Sequence, residues 1–80
     1  MRSIDTQLAA ALGRALGNED WHGAGWDMPP PPGINARGVE RAAWLALHNW
    51  EADRDLFARF PACRETSRHR MRQLIGRLET

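Results

Sequence analysis

The sequence predicts a small all-α domain of three helices: one helix, a long tryptophan- and proline-rich loop, and a helical hairpin broken at Pro61. Apolar residues recur at three- and four-residue spacing over most of the chain, and no segment reads as a strand. The irregular stretch between the periodic segments holds four consecutive prolines, Pro29 to Pro32, which exclude a helix there.

The first helix is expected over residues of about 3–16. Ile4, Leu8, Ala11, Leu12, Ala15 and Leu16 mark one apolar face, with Ser3 as N-cap and Asp5 in the positive first turn. Gly17 and Asn18 supply a left-handed C-terminal stop. Gly13 lies off the apolar face and costs about 1 kcal/mol of helix propensity relative to alanine.

Residues 18–34 are expected to form a long loop, because they contain three glycines and the proline run and show neither period. The prolines favour polyproline II, since each ring fixes φ and removes an amide donor. Loops of this length are usually functional or disordered, and Trp21, Trp26 and Met28 argue against disorder. The two loop tryptophans either anchor the loop on the central helix or present an aromatic contact to a partner. The prolines stiffen the crossover and stack on a tryptophan; no flanking basic residue marks them as a ligand for an aromatic groove.

The second helix is expected over residues of about 36–59 behind Asn35 as N-cap. Val39, Ala42, Ala43, Ala46, Leu47, Trp50, Phe57 and Phe60 follow its period. Trp44 and Leu45 widen the stripe, so this helix should sit centrally and be contacted from two sides. Trp44 and Trp50 are six residues apart and point to different sides, one toward the bundle and one toward the loop. Residues 51–55 are charged enough to be a solvated turn.

Pro61 stops this helix and suits the first turn of the next, expected over residues of about 62–78. Cys63, Ser67, Met71, Leu74, Ile75 and Leu78 form its stripe. Residues 1–80 thus read as a single helical domain.

The chain has 80 residues, 42% hydrophobic and 26% charged, with a net charge of +1, which excludes most large catalytic scaffolds. A chain this short buries only roughly 60% of its unfolded surface, so stability should be modest. One cysteine gives no internal disulfide, and His22, His48, Cys63 and His69 match no zinc spacing. Self-association into a homodimer, or docking on a partner, is the expected supplement. The N-terminal residues show no secretion signal and no apolar run spans a membrane, so a cytoplasmic protein without membrane contact is expected. Buried, inert Cys63 is expected rather than a nucleophile, and no glycine loop is followed by a helix start as phosphate binding needs. No catalytic residue, cofactor or metal is assigned, and a non-enzymatic protein is expected.

All eleven basic residues are arginine, and their charge is polarised. Residues 62–80 carry +3, residues 1–34 carry −2, and residues 35–61 are neutral. Arg64, Arg68 and Arg72 line one flank of the last helix's apolar stripe, and Arg70 and Arg77 line the other. Such a pattern can clamp an acidic helix. The expected function is therefore protein binding, with an acidic surface favoured, through these five arginines together with Trp21 and Trp26. Small size fits an inhibitor or adaptor of a larger machine, including those that bacteriophages direct against host or defence proteins. The alternative is a nucleic-acid-binding regulator that uses the last helix, although a pI of about 8.1 is low for that role.

Overall fold

The structure, a computed structural model, describes residues 2–18, 21–22 and 28–80. Those residues form four helices and no strand: α1 (Ser3–Gly17), α2 (Gly38–Ala52), α3 (Arg54–Arg59) and α4 (Pro61–Leu78). The fold is all-α, as the periodicity predicts. The second expected helix is divided, because Asp53 leaves helical geometry at φ −99° and ψ 19°. Hydrogen bonds still bridge the break, from Asp53 N–H to Asn49 O and from Phe57 N–H to Asp53 O. The apolar period therefore runs through it, which is why the sequence reads as one helix.

Three helix ends also differ from expectation. Ser3 begins α1 as its first residue and Arg2 is the cap, with no side-chain cap bond. Asn18 is extended at φ −138°, so α1 does not stop on a left-handed residue. Asn35 lies in a turn closed by Ala36 N–H on Gly33 O, and α2 starts only after Arg37. At the fourth junction the expectation holds: Phe60 is non-helical and Pro61 opens α4.

The core is built where α1, α2 and α4 pack on one another. Leu8, Leu12, Ala43, Leu47, Met71 and Leu74 are wholly buried there. The N-termini of α1 and α2 meet, since Arg37 at the start of α2 binds Asp5 in the first turn of α1. Residues just past the end of α1 reach the far end of α2, where His22 Nδ1 lies 3.3 Å from Glu51 Oε1. The two helices therefore run in the same direction. Two parallel neighbours need a crossover the length of a helix, and this explains the long irregular segment.

The described residues of that crossover lie against α2. Trp44 Nε1 donates to Pro29 O at 2.9 Å, and Arg41 Nη2 donates to Gly33 O at 3.0 Å and Ile34 O at 2.8 Å. Its contacts with α2 thus move from Glu51 through Trp44 to Arg41 as the loop advances. α2 is accordingly covered from two sides, with Trp44 toward the loop and Trp50 buried toward α3 and α4. α4 returns antiparallel, so that Arg77 and Leu78 line one cleft with Arg2, Asp5 and Arg37.

Candidate interaction surface

Trp21 is 1% exposed and belongs to the core. Its carbonyl accepts a hydrogen bond from Arg54 Nη1, which ties the loop to α3. Trp21 is thus the loop's anchor, and the contact with a partner expected of it is corrected: a side chain sealed in the core has no surface to offer. Trp26 lies outside the described residues.

The five arginines of α4 divide by environment. Arg64 lies over the Trp50 ring, its Cζ 6.0 Å from the centroid, in cation–π range. Arg68 Nε is 3.7 Å from Glu65 Oε1, one turn back on the same helix. Arg70, Arg72 and Arg77 are exposed and form no ion pair with a described residue. The stripe between the two flanks is filled by the protein itself, since Met71, Leu74 and Leu78 face α1 and α2. From Met71 onward that stripe is therefore closed to a partner helix, and Arg70, Arg72 and Arg77 lie exposed on the surface of α4.

Cys63 is exposed, against the expectation that it is buried. The stripe is continuous in sequence, but the buried residues of α4 are Met71, Leu74 and Leu78, and the turns before Met71 carry none. His48 stacks on Trp44 with centroids 5.3 Å apart and planes 8° from parallel. Among the described residues no group of three His, Cys, Asp or Glu side chains could hold a metal, and no helix is long and apolar enough to cross a membrane.

Two features of the surface were not legible in the sequence. The first is a buried carboxylate pair, Asp5 and Glu40, at the joined N-termini of α1 and α2. Glu40 Oε1 accepts from Arg37 Nε at 2.8 Å and lies 2.9 Å from Arg2 Nη1, while Arg37 Nη2 also binds Asp5 Oδ2. Hydrogen bonds to Glu40 and then to Asp5 raise the pKa of the Arg37 guanidinium above its ordinary value. Each carboxylate also lies in the first turn of its own helix. Asp5 Oδ1 accepts no hydrogen bond from any described residue. Both acids lie near expected helix starts, but their burial depends on two helix ends meeting, which no local pattern encodes.

The second feature is the turn that follows the prolines. Ile34 is 91% exposed there, while Arg41 donates to the carbonyls of Gly33, Ile34 and Ala36 behind it. The brace holds an apolar side chain outward on a preordered turn, so less entropy would be lost on docking. Ile34 closes the expected loop, and the signal that could have marked it is an apolar residue between Gly33 and Asn35, outside any period.

Comparison with family models, with curated proteins and with solved structures finds no match to this chain.

Proposed function

We propose that this protein is a non-enzymatic interaction module that binds an acidic surface of a larger protein, as an inhibitor or adaptor. The observation that carries it is the set of three exposed α4 arginines, Arg70, Arg72 and Arg77, left without ion pairs among the described residues. Guanidinium groups are weakly hydrated and pair carboxylates in planar, bidentate fashion, so an unpaired set favours carboxylate partners. Glu65 and Glu79 lie in the same segment, and the chain's pI of about 8.1 gives only a weak attraction for a polyanion, which sets nucleic acid behind protein.

The test is affinity capture from the source cell, at low and high salt and with nuclease. It compares the wild-type chain with a variant carrying Arg70→Glu, Arg72→Glu and Arg77→Glu. A nuclease-resistant protein retained by the wild type and lost by the charge-reversed variant supports the proposal. Recovery only of nucleic acid that high salt removes would replace it with the regulator. A partner held equally by both proteins would move the contact away from α4.

A further inference from the structure

Among the described helices α3 is the one with no buried residue, although it carries Leu56 and Phe57 and ends against Phe60. Phe57 turns inward, its ring 5.3 Å from that of Trp50. Leu56 and Phe60 stay 43% and 53% exposed and, four residues apart, form one apolar ridge. On the flank of that ridge away from Phe57 lie Asp55 and Arg59, at roughly 100° and 60° from Leu56 around the helix. These two are also four residues apart, and neither forms an ion pair with a described residue. The acid precedes the base along the chain.

We infer that α3 is the docking face for a second copy of this chain, paired antiparallel across a two-fold axis. The charge order selects that occupant. A two-fold axis perpendicular to both helices reverses their direction and keeps each flank on its own side. The flank of one copy therefore meets the same flank of the other, read backward. Asp55 then faces Arg59 of the second copy, and Arg59 faces its Asp55, while Leu56 lies against Phe60 in both directions. An isologous interface needs this kind of self-complementarity, and an unrelated partner would not.

The contact is small. α3 has six residues, about 9 Å of helix, and offers two apolar side chains per copy, well below the ~800 Å² per partner of a standard interface. A weak, concentration-dependent dimer follows. Arg70 lies nine residues beyond Pro61, about 13 Å along α4, so the dimer leaves the exposed arginines free for another protein.

Sedimentation of the purified chain alone, from about 10 µM to about 1 mM, reads this directly and independently of any acidic partner. The expected result is a mass that rises from 9.1 kDa toward twice that value. The double variant Leu56→Glu/Phe60→Glu should remain monomeric. Asp55→Arg or Arg59→Asp alone should weaken association by about three- to tenfold, since each places like charges together twice. The combined Asp55→Arg/Arg59→Asp swap should restore it, and these exposed charges leave the fold intact by circular dichroism. A monomer throughout the range overturns the inference. So does a dimer indifferent to the Glu pair, or a charge swap no better than its single reversals.

Discussion

Replacing Trp21 tests the link between the loop and the core, because its side chain is 1% exposed within that core. A buried tryptophan removes about 150–250 Å² from water, worth roughly 4–6 kcal/mol at 25 cal/mol per Å². Partial burial in the unfolded chain lowers this, and tryptophan-to-alanine changes in cores cost about 3–5 kcal/mol. A fold of 80 residues has about 4–12 kcal/mol in all. Trp21→Ala should therefore lose about 3–5 kcal/mol in urea unfolding with an unchanged slope, and its Tm should fall by at least about 12 °C. Trp21→Phe, which keeps most of the apolar area, should lose less than half as much. Ile34→Ala, on the exposed turn, should stay within about 0.5 kcal/mol of wild type. If Trp21→Ala costs less than about 1 kcal/mol, the tryptophan does not anchor the loop and the packing described here is wrong.

Glu40→Gln removes the charge that both Arg2 and Arg37 approach, and should cost about 1–3 kcal/mol in chemical denaturation. Arg37 has a raised pKa, so its stabilising share is complete at every pH below the ordinary arginine value and is lost only as pH climbs through the folded one. Arg37→Met should accordingly be destabilised by the same amount at about pH 6 and about pH 9; a loss that vanished by the higher pH would contradict this. Cys63 should react with a maleimide in the native protein nearly as fast as in urea, as its exposure requires, and protection would return it to the interior. Arg41→Ala frees three carbonyls of an exposed turn, so it should speed proteolysis near Ile34 while costing less than about 1.5 kcal/mol globally. Unchanged cleavage would show that the prolines alone hold the turn.

The carboxylate cluster has a tertiary origin, whereas the braced turn is local, the carbonyls that Arg41 binds lying five to eight residues back. Nothing within a few residues tells Arg2 or Arg37, each at a helix start, whether another helix will end beside it. Only after α1 and α2 lie parallel does Arg37 find Asp5, thirty-two residues away, while Glu40, three residues ahead, is within reach on its own helix. The α4 arginines show the same limit. Their positions on the two flanks follow from spacing alone, but which are engaged depends on Trp50 and Glu65 lying within reach.

Local chemistry was enough for the helical class, the break at Phe60–Pro61, the crossover and the opposed directions of Trp44 and Trp50, because proline geometry and side-chain period act within one or two turns. It could not place the kink at Asp53, where the apolar period continues across one non-helical residue. Nor could it show that Cys63 projects past the core while Met71, eight residues on in the same stripe, is buried. Burial is decided by which neighbours the folded chain brings alongside, and the first turns of α4 carry no buried residue. The periodic pattern determined which face of each helix is apolar. Tertiary packing decided how much of that face is covered, and it left Leu56 and Phe60 of the α3 ridge open to a second molecule.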